Sequence, residues 1–290
     1  MSKSNILFII NPISGGKDKL RIPELVNTYL DRSKFSPHFS VTEYVGHASE
    51  IAEEAAIKDF DFIVAVGGDG TINEIAAKVV QHDKILGIIP FGSGNGLSRF
   101  LKIPMNAVEA IKVINKGHVT VVDTARFNGK HFFNMAGMGF DAHISAVFAG
   151  NKSRGLTGYL KLGVKEILSY KPRKYHLDID GKVYEREAMV VSIANSSQYG
   201  NNAHIAPGAS ITDGLLDVCI IKKLPLYRLP LLAYEMFNAG QSDLVEIIRG
   251  RHIKILRAEE GSIHIDGEPY LMGRKIEIMV DPLSLNIISP

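Results

Sequence analysis

Apolar residues along the first 126 positions come in short, uninterrupted runs separated by stretches of helical spacing. Ile6–Ile10 (ILFII), Ile63–Val66 (IVAV) and Ile85–Pro90 (ILGIIP) read as strands buried on both faces. Phe39–Tyr44 is expected as a further strand. Helices are expected over Leu20–Leu30 and Ala48–Lys58, over Ile72–Val80 after the third strand, and from about Leu97. Strands alternating with helices describe an open, mostly parallel α/β sheet. Glycine-containing loops follow three of the strands: Asn11-Pro12-Ile13-Ser14-Gly15-Gly16-Lys17, Gly67-Gly68-Asp69-Gly70-Thr71, and Phe91-Gly92-Ser93-Gly94-Asn95-Gly96. In such sheets ligands bind at the carboxyl ends of the strands, so the three loops are expected to converge on one crevice.

The pattern changes near Val119. Val119–Phe127 alternates, Asn128-Gly129 is a hairpin signal, and His131–Met135 continues as a strand. Further strands are expected at Tyr175–Ile179, Val183–Arg186, Ala188–Ala194, Leu216–Ile221, His252–Leu256, Ile263–Ile265, Ile276–Val280 and Leu285–Ile288. Short strands joined by turns imply a mainly antiparallel sandwich or barrel. The chain thus divides into an α/β domain at 1–126 and a β-sandwich domain at 127–290. Two helical stretches interrupt the second domain. Leu156–Ser169 lies in a segment, 152–174, rich in lysine and arginine, and Leu224–Phe237 is apolar with Lys222, Lys223 and Arg228 beside it. These read either as a solvated basic face with ordinary core, or as an apolar pocket with a basic rim at an anionic membrane.

Composition narrows the classes. Hydrophobic residues at 46%, charged residues at 22% and a net charge of +2 fit a globular protein and give no support for nucleic-acid binding. The single cysteine, Cys219, lies in an apolar run and reads as a buried thiol. No apolar stretch is long enough to cross a bilayer, and the first residues do not read as a secretion signal, so a cytoplasmic protein is expected.

The glycine loop at 67–71 carries the main chemical signal. Glycines let the backbone approach a phosphate, and amides at a helix N-terminus point at the anion. Asp69 does not suit simple phosphate binding. Its carboxylate is either an ordinary helix N-cap or a sign of Mg²⁺ or proton transfer. Asp213 in Asp-Gly reads by itself as a turn, and Asp266-Gly267-Glu268 as a hairpin turn between the strands at 263–265 and 276–280.

Six motifs occur in order along the chain: NPISGGK from 11, GGDGTINE at 67–74, FGSGNGLSRFLKIP at 91–104, VDTARFNGKHFFNMAGMGFDA at 122–142, APGASITDGLLDV at 206–218 and IDGEP at 265–269. Together they resemble the diacylglycerol kinase catalytic-domain family, which includes sphingosine kinases and bacterial lipid kinases. GGDGT alone is shared with NAD kinases and phosphofructokinases. The resemblance implies a nucleotide-binding α/β domain followed by a β-sandwich holding a lipid pocket, with the last segment returning to the first domain. It implies ATP as co-substrate, Mg²⁺, and a lipid hydroxyl as acceptor, diacylglycerol-like or sphingoid-like. Asn11, Thr42, Gly67, Gly68, Asp69, Gly70, Thr71, Asn73 and Ser93 match ATP-binding positions, and Arg154 matches a phosphate-contacting arginine. Asp213, with the carbonyls of Ser210 and Leu215, matches a Mg²⁺ site. Glu268 matches the proton acceptor of bacterial relatives, with Asp266, Asp69 and Asp123 in the same acidic set. Bacterial relatives often carry Thr where Ser93 stands and Asn-Asp where this chain has Asn95-Gly96, and GSGNGL is closer to the sphingosine-kinase form. Peripheral membrane association, through the basic segment 152–174 and the apolar segment 224–237, and a homodimer are further expectations. The competing readings are a soluble-substrate kinase of the NAD kinase type and a nucleotide or lipid sensor without turnover.

Overall fold

The computed structural model describes residues 3–13, 19, 21–149, 166, 167 and 169–290, with the backbone alone at 148 and 149. The chain forms two compact units. The first holds residues 1–124, 200–202 and 282–290, the second 125–199 and 203–281.

In the first unit, β1 (Ser4–Ile10), β2 (Phe35–Val41), β3 (Phe62–Gly67) and β4 (Ile85–Pro90) are parallel, in the order β2-β1-β3-β4. The end of β18 (Lys275–Ile288) continues this order beside β4, with Asn286 opposite Ile85. Helices α1 (Ile22–Tyr29), α2 (His47–Ile57), α3 (Asp69–Gln81), α4 (Gly96–Phe100) and α5 (Ala107–Lys116) connect and cover the strands. α2 packs on α3 and α1 on α5. The apolar runs of β1 and β3 are buried, as expected of strands covered on both faces. Sequence reading did not single out α5. Its signals are Asn106, whose side chain accepts from the amides of Val108 and Glu109, and Gly117, which ends the helix at φ +66°.

Most strands of the second unit form two antiparallel layers. One has the order β14 (Val245–Gly250), β13 (Leu216–Ile221), β10 (Val190–Ala194), β7 (Met135–Gly139), β16 (Gly261–Ile265), β17 (Glu268–Met272). The other joins the start of β18 to β15 (His252–Arg257), β8 (Arg173–Ile179) and β9 (Lys182–Ala188). A short ladder pairs β11 (Gln198–Gly200) with β12 (Ala203–His204), and β5 (Val119–Phe127) pairs with β6 (Lys130–Phe132). Among the described residues, helices α6 (Phe140–Ala149) and α7 (Leu229–Phe237) also belong to this unit.

Two apolar clusters explain why β10 and β13 read as nearly continuous hydrophobic runs. Leu216, Val218 and Ile220 enter one cluster with Phe127, Tyr175, Ile253 and Ile278. Cys219 and Ile221 enter a second with Met135, Ala194, Leu232 and Leu244. Successive side chains of β13 therefore both find apolar cover, so this strand is buried on both faces, whereas β17 at the edge of the sheet is largely exposed. Burial pushes the Cys219 thiol well above its usual value.

Several expected boundaries change. The second strand is Phe35–Val41 rather than 39–44, in register with the whole of β1. The expected strand at 131–135 is two strands, because the amides of Phe133 and Asn134 turn to the Asp266 carboxylate instead of a ladder. Ala188 closes β9 rather than opening the next strand. The strands expected at 276–280 and 285–288 are one, Lys275–Ile288. The partner of 261–265 across the Asp-Gly turn is Glu268–Met272, not 276–280. The apolar stretch 224–237 divides into a 3₁₀ turn at Leu226–Arg228 and α7.

Candidate active site

Parallel pairing brings the strand ends of the first unit side by side. Ile10 lies opposite Val41 on one side and Val66 on the other. Beyond that register the chain stays linked: Thr42 N–H donates to the Ile10 carbonyl at 2.9 Å, Asn11 N–H to Val66 at 3.0 Å and Phe91 N–H to Gly67 at 2.7 Å. The loops expected to share a crevice therefore leave from one edge. Among the described residues this places Asn11, Thr42, Gly67, Gly68, Asp69, Gly70, Thr71, Asn73 and Ser93 at or just beyond the ends of β1–β4. Asn11 Nδ2 donates to Thr71 Oγ1 at 2.9 Å, tying the first loop to the second.

Gly68 and Gly92 carry the closest approach. A Cβ on Gly68 would lie 3.1 Å from Gly92 Cα, so the second and third loops touch backbone to backbone. Asp69 fastens them. Its Oδ2 accepts Asn95 N–H at 2.7 Å and its Oδ1 accepts Gly96 N–H at 2.9 Å. Asp69 is thus not the N-cap of α3. Gly68 holds that position without a side-chain bond, and the carboxylate is committed to the opposite loop. Ser93 stands exposed at the tip of that loop.

Three neighbours were not singled out from sequence. Asn95 adopts φ +52°, accepts Gly92 N–H at 2.8 Å and donates to the Gly92 carbonyl at 2.7 Å, closing its own turn. The Asn-Gly pair at 95–96 was the available signal. Arg99 Nε donates to Gly94 O at 2.8 Å. Lys19 is 1% exposed, its Nζ is 3.0 Å from the Asn11 carbonyl, and burial lowers its pKa. No local pattern marks a buried lysine. Asp123, 1% exposed, accepts Leu283 N–H at 2.8 Å, where Leu283 has φ +46°.

In the second unit Asp266 (φ +46°) and Gly267 (φ +90°) form the two-residue turn between β16 and β17, with Ile265 opposite Glu268. The Asp266 carboxylate does more than turn the chain. It accepts the amides of Phe133 at 3.0 Å, Asn134 at 3.0 Å and Met135 at 2.9 Å, while its own N–H donates to the Met135 carbonyl at 2.8 Å. Glu268, the first residue of β17, is exposed.

Asp213 sits apart from this hairpin in the fold's connectivity, in the turn before β13. Its Oδ1 accepts Leu215 N–H at 3.0 Å, and its Oδ2 is 4.0 Å from Arg249 Nη1. Arg249 also reaches Asp217 Oδ1 at 2.9 Å and the Gly208 carbonyl at 2.6 Å. Burial pushes the Asp217 carboxyl above its usual range against the pull of Arg249. Among the described residues no group of three or more His, Cys, Asp or Glu side chains is placed to hold a metal ion. A cation at 210–215 would depend on one carboxylate with carbonyl and water oxygens, and that hard-oxygen set fits Mg²⁺. Arg154, and most of the basic segment 152–174 with its expected helix, lie outside the described residues.

Comparison with known proteins supplies the family. Residues 5–127 match the profile described as diacylglycerol kinase catalytic domain. Residues 134–289 match the YegS C-terminal NAD kinase beta sandwich-like domain. A YegS-like probable lipid kinase of Enterobacter sp. (strain 638) is 31% identical, covering 98% of this chain and 95% of its own. The diacylglycerol kinase of Bacillus subtilis (strain 168) is 28% identical, covering 92% and 90%. A solved diacylglycerol kinase structure from Bacillus anthracis str. Sterne superposes with TM-score 0.78 at 25% identity, covering 100% of this chain and 98% of that one. With both of its halves matched in order, this chain belongs to the family of diacylglycerol kinases and YegS-like lipid kinases.

Proposed function

We propose that this chain transfers the γ-phosphoryl group of ATP to a hydroxyl of a lipid, diacylglycerol-like or sphingoid-like. The observation that carries the nucleotide half is the Asp69 clasp. It holds two glycine loops backbone to backbone just beyond the strand ends. Such an edge offers amide donors to phosphate oxygens. The lipid half rests on the names of the relatives.

In this reading Asn11, Thr42, the 67–73 loop and Ser93 hold ATP, and Arg154 contacts phosphate. Glu268 takes the proton of the attacking hydroxyl. Asp69, Asp123 and Asp266 keep backbone segments in place around the chemistry and order the acidic set. Mg²⁺, when bound with ATP, neutralises charge on the transferring phosphate. A second, structural Mg²⁺ would be held by Asp213 with the carbonyls of Ser210 and Leu215. The chain's own contribution to rate is positioning and proton removal.

A lipid acceptor implies contact with a membrane surface. Among the described residues no helix is long and apolar enough to cross a bilayer. Leu226, Tyr227, Leu231, Tyr234 and Phe237 are exposed on and just before α7, with Lys222, Lys223 and Arg228 nearby. Exposed aromatic and aliphatic side chains beside lysines suit the interface of an anionic bilayer. Incubating the pure protein with labelled ATP and a mixed lipid extract tests the reading. A labelled phospholipid product supports it. Label in a water-soluble product alone, or none with ATP bound, overturns it.

A further inference from the structure

β16 meets β7 with His264 opposite Gly137. Its inward residues, Ile263 and Ile265, belong to the sandwich core, so alternation sends His264 to the other face, and Asp266 follows in the turn. Both side chains reach across to the β7 segment, at opposite ends of it. Asp266 takes the amides of Phe133, Asn134 and Met135 where β7 begins. His264 Nε2 lies 3.1 Å from the Oδ2 of Asp141, the second residue after β7 ends.

That second link is buried and crowded with donors. Asp141 Oδ2 also accepts Ser192 Oγ at 3.0 Å and Tyr199 Oη at 2.9 Å, and its Oδ1 accepts Ala142 N–H at 2.7 Å. A carboxylate oxygen offers only lone pairs, so the proton of the His264 bond is on Nε2. The space exists because residue 137 is glycine. A Cβ there would stand 2.6 Å from Asp141 Oδ2, 2.7 Å from His264 Nε2 and 3.2 Å from Ser192 Oγ. His264 is 7% exposed, and its Nδ1 is buried with no hydrogen-bond partner.

We propose that His264 is a positioning residue. Through Asp141 it fixes β16 against the far end of β7, as Asp266 fixes it against the near end, and the two links together set the turn that presents Glu268. The functional part of this inference rests on the reading of Glu268 as proton acceptor. The mechanical part does not.

The test separates them. In His264→Gln the side-chain amide replaces the Nε2–H donor, whereas His264→Leu fills the space without one. Two quantities are measured: lipid kinase kinetics, and hydrogen exchange at the amides of 133–135. His264→Leu is expected to speed exchange at 133–135 and to lower kcat about 100-fold with KM for ATP unchanged, as for a displaced reacting group. His264→Gln is expected to restore both. Tyr199→Phe removes a different donor from the same carboxylate and is expected to leave exchange at 133–135 as in the parent. Should His264→Leu not fold, His264→Asn, too short to reach Asp141, takes its place. Parent-like exchange in the Leu or Asn variant overturns the proposal, as does equal loss in His264→Gln and His264→Leu. Altered exchange with Glu268→Gln fully active would instead overturn the reading of Glu268 while leaving the mechanical link in place.

Discussion

Asp69 in the first unit and Asp266 in the second stand in similar motifs, Gly-Asp-Gly-Thr and Ile-Asp-Gly-Glu, and are used alike by the backbone. Asp69 binds two amides 26 and 27 residues later in the chain. Asp266 binds three amides more than 130 residues earlier. Each carboxylate holds together segments that local sequence does not connect. They differ in what lies beside them. Asp69 opens a helix amid glycines, and Asp266 opens a hairpin whose next side chain, Glu268, is exposed. An acid in a glycine-rich motif is therefore not by itself a base or a metal ligand. Oxygens engaged by several amides are poor proton acceptors, because those bonds favour the ionised form.

The comparison breaks most sharply at Glu268. Glu268→Gln keeps the shape and removes the proposed proton acceptor, so on that proposal lipid turnover should fall by roughly 10²–10⁴-fold. Exposure means stability should stay within about 0.5 kcal/mol. If the variant turns over lipid normally while Asp69→Asn is inactive with Mg²⁺-ATP binding intact, the base is Asp69.

Asp69→Asn and Asp266→Asn should behave differently from Glu268→Gln and like each other. An amide NH₂ in place of one oxygen faces a backbone N–H, leaving a donor without an acceptor, at a cost of about 1–3 kcal/mol. Both should lower the melting temperature, and the displaced segments should slow turnover by about 100-fold. Gly68→Val presses a branched side chain on Gly92 and should weaken ATP affinity in a folded protein. Calorimetry with titrated ATP checks all three. An Asp266→Asn protein as stable as its parent would mean that the three amides find other acceptors.

The parts legible in the sequence were those encoded locally. Ile6–Ile10 and Ile63–Val66 are apolar without a break because both faces are covered, and three glycine loops follow three strands of the parallel sheet. The Asn128-Gly129 turn joins β5 to β6 as its residue types dictate. What was not legible depends on partners far along the chain. Nothing at 131–135 shows that three of its amides turn to Asp266, so its pattern predicts one strand where there are two. Lys19 and the His264–Asp141 pair look like ordinary surface residues until tertiary burial is known. The roles proposed for Asp213 and Glu268 rest on motif order, since Asp-Gly and Asp-Gly-Glu are equally good plain turns.

A smaller effect is expected at Asp213. With Mg²⁺ held by its carboxylate and nearby carbonyls, binding would stabilise the folded chain. The parent should melt higher in Mg²⁺ than in EDTA, and Asp213→Ala should lose most of that difference. Identical melting of parent and variant in both media would remove the metal from this turn. Asp217, buried on the other side of Arg249, serves as the control, because its replacement should leave the Mg²⁺ effect in place.

The smallest expected effect is the pH dependence contributed by Asp217 itself. Burial raises its carboxyl pKa in the folded protein, and Arg249 at 2.9 Å only partly offsets that. In the unfolded chain the group titrates near the ordinary 3.8. Between that pH and the raised folded value, the folded state holds more proton than the unfolded state. Stability therefore falls as pH rises through this window and is flat, for this group, above it. The sign is opposite to that of an aspartate stabilised by its ion pair, whose contribution grows over the acid range. Asp217→Asn removes the titration, so the difference in melting temperature between parent and variant should shift in favour of the variant as pH climbs from 3.8. It should then stay constant toward neutrality. A difference that moves toward the parent over the same range would show that Arg249, not burial, dominates the carboxylate.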